Sequence, residues 1–180
     1  MRYPSGGLLR WFYKAPLVEW RMGLGPLLRR FRLLVLTTRG RKTGKPQHTM
    51  LEHSMMDGKA YIAPGWGQRT QWYQNIFADP RVTVQRGGKP YGAIARRVAA
   101  DDELKRLYDM MHGKSPVWMQ YLESWGVEDT VEAFVANKDR LIVLRLDPIE
   151  GVPLPGIRTD LVWFWPAAVL LASAVYFIVR

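Results

Sequence analysis

No cysteine occurs anywhere in the 180 residues. That excludes disulfide cross-links, a thiolate nucleophile and any cysteine-ligated metal, and it gives no sign of an oxidising compartment. Histidine is nearly as scarce, with His48, His53 and His112 the three in the chain. His48 and His53 are separated by an odd number of positions on an expected strand, so their side chains leave opposite faces. A two-histidine site is not expected there, and no metal is predicted. Acidic side chains are missing from the first quarter: residues 1–45 carry eleven of the 26 Lys and Arg but one, Glu19, of the 16 acids. The rest of the chain holds fifteen of each sign, so the whole net charge of +10 sits in that quarter. Such a bias points to an anionic partner: nucleic acid, an anionic membrane surface or a phosphorylated cofactor. No groove-reading helix or stacking platform accompanies the charge, so nucleic acid is not the expected partner. An apolar leader is missing as well, because Arg10 and Lys14 interrupt the N-terminus and no signal peptide is expected. Internal repeats and low-complexity segments are absent, and the length suits one domain with a proper core.

What is present begins with Thr37-Thr38-Arg39-Gly40-Arg41-Lys42-Thr43-Gly44-Lys45-Pro46. Leu33–Leu36 before it and Met50-Leu51 after it read as strands, and the glycines and proline as the turn joining them. Arg39, Arg41, Lys42 and Lys45 therefore crowd one hairpin end, where like charges repel unless an anion sits among them. A phosphate suits that position, because guanidinium and ammonium groups make charge-assisted hydrogen bonds to it and the turn can add N–H donors. A solvated basic hairpin tip has the same composition. The stretch is not a Walker loop: Gly40 to Lys45 is one residue short, and Pro46 stands where Ser or Thr would hold magnesium.

Leu161 to Val179 carries no charged residue, and at about 1.5 Å per residue it would reach about 28 Å, near the hydrocarbon thickness of a bilayer. Trp163 and Trp165 lie near one end and Tyr176 near the other, as interfacial aromatics do. Pro166 falls early, where a missing donor is tolerated. A buried core helix is the alternative, but this stretch is hydrophobic all round rather than on one stripe. The expectation is a single-pass C-terminal anchor over 161–179, with the folded domain on the cytoplasmic face by the positive-inside tendency. Residues 8–32 interleave Leu8, Leu9, Trp11, Phe12, Leu17, Val18, Trp20, Met22 and Leu24 with Arg10, Lys14, Arg21, Arg29, Arg30 and Arg32. Basic amphipathic helices of this kind rest on membrane lipids, although a target helix for a partner or a core-packing helix looks similar. Gly23, Gly25 and Pro26 divide the run into two short helices.

Between these ends, Gln47–Met55 and Lys59–Ala63 read as strands around a turn at Asp57-Gly58. Arg69–Ala78 reads as a helix closed by Asp79-Pro80, and Arg81–Gln85 and Tyr91–Ala99 as strands. Asp101-Asp102-Glu103 opens a helix with acids favourable to its dipole. Helical patterns continue over Val117–Trp125 and Glu128–Asn137, and Leu141–Leu146 alternates as a strand ending at Asp147-Pro148. Antiparallel strands with helices gathered at one end suggest an α+β barrel.

Together, the strand-Thr-Thr-Arg-Gly-Arg-Lys-Thr-Gly-Lys-Pro-strand hairpin, Asp57-Gly58, Ala63-Pro64-Gly65-Trp66-Gly67, Trp72-Tyr73-Gln74-Asn75 and Asp79-Pro80-Arg81-Val82-Thr83-Val84-Gln85 resemble the deazaflavin-dependent nitroreductase and quinone reductase family over about residues 30–148. The resemblance implies an α+β split β-barrel of the pyridoxine-phosphate-oxidase-like, flavin-reductase type. Flanking helices would surround it, and a transmembrane helix would follow. With the segments read above, the expected division is a basic N-terminal segment over 1–31, a cofactor domain over 32–150, a linker over 151–160 and the anchor over 161–179. The implied cofactor is coenzyme F-420, an anionic deazaflavin with a phosphate and a glutamyl tail. Carried over by motif, Arg41, Lys42, Thr43 and Gly44 would hold the phosphate-bearing tail. Gln47, Thr49, Met50 and Leu51 would run along the ring, Ala63, Pro64 and Gly65 would face it, and Trp72 and Asn75 would open the helix beneath. Trp66, Trp118 and Trp125 would line the substrate pocket, with core packing the alternative for the two on the later helix. Gln47 stands where many relatives have a second cation, Thr49-Met50 replaces a common Asn-Pro pair, and Pro64-Gly65-Trp66 replaces a loop offering serine and lysine. FMN or FAD is therefore the alternative cofactor. The implied reaction is hydride transfer to a lipophilic acceptor such as a quinone, with Tyr121, Tyr73 or water supplying the proton. A homodimer is a further expectation by analogy with related split barrels, and a non-catalytic tethered carrier is the alternative function.

Overall fold

The computed structural model describes residues 15–65, 67–112 and 116–179. The first part of the basic N-terminal segment and the expected pocket residue Trp66 lie outside the described residues. Alternation of apolar side chains builds one antiparallel sheet from β1 (Leu33–Arg39), β2 (Pro46–Glu52), β3 (Ser54–Met56), β4 (Lys59–Ile62), β5 (Arg81–Gln85), β6 (Tyr91–Arg97) and β7 (Leu144–Ile149). Its strand order is β2-β1-β5-β6-β7-β4-β3, so the chain's first and last strands flank the β5–β6 pair and the expected antiparallel α+β architecture forms. β7 runs through Pro148 rather than stopping before it. There its partner is Ala93 of β6, while pairing with β4 ends at Leu146, so no ladder bond on that side needs the missing N–H.

Period-two alternation on β1 sends Leu34 and Leu36 into the main core with Trp72, Ile76, Val82 and Leu144. It sends Val35 to the opposite face, where it meets Trp20, Leu17, Met50 and Ile157. Trp20 belongs to a π-turn, Trp20–Leu24, between the short helices α1 (Ala15–Glu19) and α2 (Gly25–Arg30). Gly23 breaks the helical path there with φ +87°. The described part of the basic segment is therefore pinned to the sheet by one buried indole. A second core lies under α4 (Asp101–Met111), α5 (Pro116–Ser124) and α6 (Val131–Ala136), around Leu107, Trp118, Leu122 and Phe134. α3 (Gln71–Ala78) packs on the main core, and Asp79-Pro80 ends it.

The stretch 151–160 is held to β5 as though by a neighbouring strand. Thr83 Oγ1 donates to the carbonyl of Leu154 at 2.7 Å and accepts from its N–H at 3.1 Å. The amide of Gln85 does the same for Ile157, at 3.1 and 2.7 Å.

The apolar tail corrects the expectation of a spanning anchor over 161–179. Its helix, α7 (Phe164–Val179), has 16 residues. At about 1.5 Å per residue that is about 24 Å, short of the roughly 30 Å of hydrocarbon. No helix among the described residues is long and apolar enough to cross a membrane. The lost length goes into a turn at its root, where the N–H of Leu161 donates to the carbonyl of Arg21 at 3.0 Å and Asp160 pairs with the Arg21 guanidinium at 2.8 Å.

Candidate active site

The β1–β2 turn closes tightly. The N–H of Gly40 donates to the carbonyl of Lys45 at 2.9 Å and that of Gly44 to the carbonyl of Gly40 at 2.7 Å. Gly44 takes φ +67°, a conformation most side chains resist. Thr43 is built into this turn, its Oγ1 accepting from the N–H of Lys45 at 3.3 Å.

The start of α3 comes against this turn, and Asn75 joins the two. Its Nδ2 donates to Thr38 Oγ1 at 3.1 Å. Its Oδ1 accepts from the backbone N–H of Arg41 at 3.2 Å and from Arg41 Nη1 at 3.1 Å. Arg41 Nη1 also donates to Gln71 Oε1 at 3.1 Å. One guanidinium nitrogen is thus occupied while Nη2 and Nε keep donors to offer. Arg39 is paired with Asp79 at 3.2 Å, while its Nη1 donates to the carbonyl of Gly44 at 3.5 Å. Arg81 first, and Arg39 with it, hold the Asp79 carboxyl below the usual carboxylate range. Lys42 and Lys45 stand exposed on the turn. Mutual repulsion among four cations is thus relieved in part by Asp79, leaving Arg41, Lys42 and Lys45 around the mouth of the corner.

Two buried polar atoms near this corner have no partner in the structure: Thr70 Oγ1, at the N-terminal cap of α3, and Trp125 Nε1. A helix start whose cap makes no side-chain bond leaves backbone donors open, and its dipole favours an anion. The residues present therefore fit a phosphate- or carboxylate-bearing ligand.

Register decides which residues share this face. Gln47, Thr49 and Leu51 lie opposite Thr38, Leu36 and Leu34, so they project to the α3 side of the sheet. Met50, expected beside a cofactor ring, projects the other way and packs with Trp20 and Val35. The reason is strand alternation: three successive residues cannot all face one ligand. His48 leaves with Met50 and meets Thr37 Oγ1 at 2.9 Å. His53 is elsewhere, and among the described residues no cluster could hold a metal ion.

The facing loop is shaped by Pro64, whose carbonyl accepts from the N–H of Gly67 at 2.7 Å. Ala63 packs on the second core, and Gly65 is exposed with open space where a Cβ would stand. Gly67 takes φ +57°, and a Cβ there would lie 2.5 Å from the Trp125 ring, so this loop is in direct contact with the turn that follows α5. Trp72 is buried beneath the sheet, edge-on to Tyr73 with ring centroids 6.4 Å apart. Tyr73 is half-buried at the rim of the main core.

Trp118 and Tyr121 are packed into the second core. Trp118 meets Phe134 edge-on at 4.9 Å, and the Tyr121 hydroxyl donates to the carbonyl of Ile142 at 3.2 Å. Burial pushes the Tyr121 phenol well above its ordinary range. Helical spacing aligned these aromatics, and the face they share packs into a hydrophobic core. Conversely, Gln71, Thr38 and Thr70 join the corner without having been expected. Gln71 could have been found from its spacing, since it stands one helical turn before Asn75 on the same face.

A family model described as F420H(2)-dependent quinone reductase matches residues 15–136. An F420H(2)-dependent quinone reductase of Mycobacterium tuberculosis is 34% identical over 84 residues, covering 44% of this chain and 56% of the relative. The chain thus spans about half the length of the curated relatives it matches. Among solved structures, an F420-H2 dependent reductase (FDR-A) shows 23% identity and a TM-score of 0.41, covering 64% of this chain and 94% of that one. The General Stress Protein 26 from Bacillus anthracis shows 15% identity and a TM-score of 0.45, covering 72% and 89%.

Proposed function

Because the chain belongs to the F420H(2)-dependent quinone reductase family, we propose that it is an oxidoreductase that reduces a lipophilic acceptor, a quinone, with reduced coenzyme F-420. When bound, the deazaflavin supplies the hydride. The observation that supports the reading is the corner where Asn75 holds Arg41 against the start of α3, with Lys42 beside it. There the free donors of Arg41, the Lys42 ammonium and the open N–H groups of α3 would bind the phosphate of the acidic tail. Thr49 and Leu51, on the same side of the sheet, would flank the ring system, with Gln47 towards the tail. Pro64 and Gly65 would close over it from the facing loop. The sheet and the Trp125-backed loop would exclude water from the bound group, which preserves the hydride donor for its acceptor. A proton must also reach the acceptor oxygen. Tyr73, half-buried at the rim, is better placed for that than Tyr121, whose hydroxyl is already committed to a core carbonyl. The reading also locates the enzyme at a lipid bilayer, on its cytoplasmic face, where a quinone is dissolved and the exposed apolar α7 can be solvated.

Equilibrium titration followed by absorbance, with F-420 beside FMN, tests the cofactor. Lys42→Ala is expected to weaken F-420 binding by about tenfold, the size of one charge-assisted contact at an exposed site. Tight binding of FMN with none of F-420 overturns the assignment, as does an unchanged affinity in the Lys42 variant.

A further inference from the structure

We infer that α7 and the basic segment 21–32 at its root form one continuous surface that binds anionic lipid bilayers without spanning them. This deepens the membrane part of the reading above and is independent of its redox part.

The first observation is where the side chains of α7 point. Val169, Leu170 and Leu171 are 65, 70 and 69% exposed. Successive residues step about 100° around a helix, so these three alone cover more than half its circumference. Val162 through Phe164, and Val175 and Tyr176, are exposed as well. A helix made for a groove on a protein keeps one apolar stripe and a polar back. α7 has apolar side chains on every described face, and the hydroxyl of Ser173 is spent on the carbonyl of Val169 at 2.9 Å. Lipid satisfies such a helix on all sides, whereas a single partner covers one.

The second observation is what stands at the root. Trp163, Phe164 and Trp165 are exposed where α7 leaves the domain, the position of an interfacial aromatic belt. Trp165 Nε1 donates to the carbonyl of Met22 at 2.9 Å, and a Cβ on Gly23 would lie 3.5 Å from Val162. With the Arg21–Asp160 pair and the Leu161–Arg21 backbone bond, these contacts fasten the turn between α1 and α2 to the base of α7. Arg21 of that segment is thereby held at the level of the aromatic belt. Arg30, Arg32 and Arg158 are exposed, as are Val18, Leu27 and Phe31, and Arg158 lies close to Asp160 at the root. Asp160 is neutralised by Arg21, so the surplus is positive and matches anionic headgroups. Both halves of an interfacial anchor, an apolar insert and a basic collar, thus come from opposite ends of the chain. α7 is accordingly an insert into the near side of the bilayer, since no helix among the described residues is long and apolar enough to cross one.

The test uses the full chain and vesicles of phosphatidylcholine, with and without about one-third phosphatidylglycerol, separated by sedimentation. Binding is expected to be at least about tenfold tighter on the anionic vesicles at low salt, with the difference collapsing near 0.5 M salt. Leu170→Glu with Leu171→Glu should lose binding to both compositions while F-420 affinity is unchanged, which shows the domain still folded. Arg30→Gln with Arg158→Gln should lose the anionic preference alone. Since the chain has no cysteine, Val175→Cys offers a unique thiol. A label there should be quenched by deep lipid-borne quenchers in vesicles, and it should not react with impermeant reagents trapped in the vesicle lumen. Equal binding to both vesicle types, no binding, or lumenal reaction overturns the inference. So does a dimer in buffer that buries Leu170 and Leu171 and ignores vesicles, which assigns the surface to a second copy. Turnover with a water-soluble quinone tests the redox reading separately, because it needs no bilayer.

Discussion

Replacing Asn75 with alanine is expected to reduce stability by about 3 kcal/mol and to weaken F-420 binding by more than about thirtyfold. The side chain is 4% exposed and makes three hydrogen bonds that join β1, the basic turn and α3. Its loss leaves Thr38 Oγ1, fully buried, and the N–H of Arg41 without their partner, and each orphaned buried group costs roughly 1–3 kcal/mol. The affinity loss follows separately: Arg41 loses the bond that fixes its guanidinium, and an unheld cation must be ordered at the moment of binding. Gln71→Ala, which removes one exposed contact to the same guanidinium, should cost only a few-fold in affinity. Urea denaturation and absorbance titration give the two quantities. An Asn75 variant that unfolds and binds like the parent would remove Asn75 as the organising residue of the corner.

Lowering the pH from about 6.5 to about 4 should remove roughly 3 kcal/mol of stability through His53 alone. Burial first, and then the Arg86 charge, bring its pKa down to about 4. Its Nε2 accepts from Arg86 Nε at 2.9 Å, which requires the neutral ring. Above pH 6.5 the histidine is neutral in the folded and unfolded chains alike, so it adds no pH dependence there. Between 6.5 and 4 the unfolded chain takes up a proton that the folded chain refuses, so stability falls with falling pH. Below about 4 both forms are protonated and the contribution levels off. The size is the shift multiplied by about 1.4 kcal/mol per pH unit. His53→Gln keeps an acceptor for Arg86 and cannot titrate, so it should flatten this part of the stability profile. An equally steep profile in the variant would assign the acid sensitivity to other groups.

The same residue illustrates why part of the molecule could not be read from sequence. His48 and His53 were expected on one strand, but the chain breaks between β2 and β3 at His53, whose N–H donates to the carbonyl of Arg32 at 2.9 Å. That break depends on a partner distant in sequence. The helical spacing of Trp118, Tyr121 and Trp125 was equally legible, yet periodicity states which side chains share a face and not what the face meets. Thr49, Met50 and Leu51 could have been divided by strand alternation alone. Only the register with β1 says which of the two sets looks toward α3.

Local rules acting over a few residues were enough for the hairpin, its cationic turn, the helix closed by Asp79-Pro80 and the apolar character of the tail. Charge, turn chemistry and periodicity are carried by near neighbours, so the amino-acid order alone determines them. Tertiary structure decided that Asn75 reaches across to Arg41, that Trp118 and Tyr121 belong to a core, and that Arg21 secures the base of α7 and shortens it. Each of these joins groups far apart along the chain, and such contacts exist only once packing and desolvation have brought the elements together.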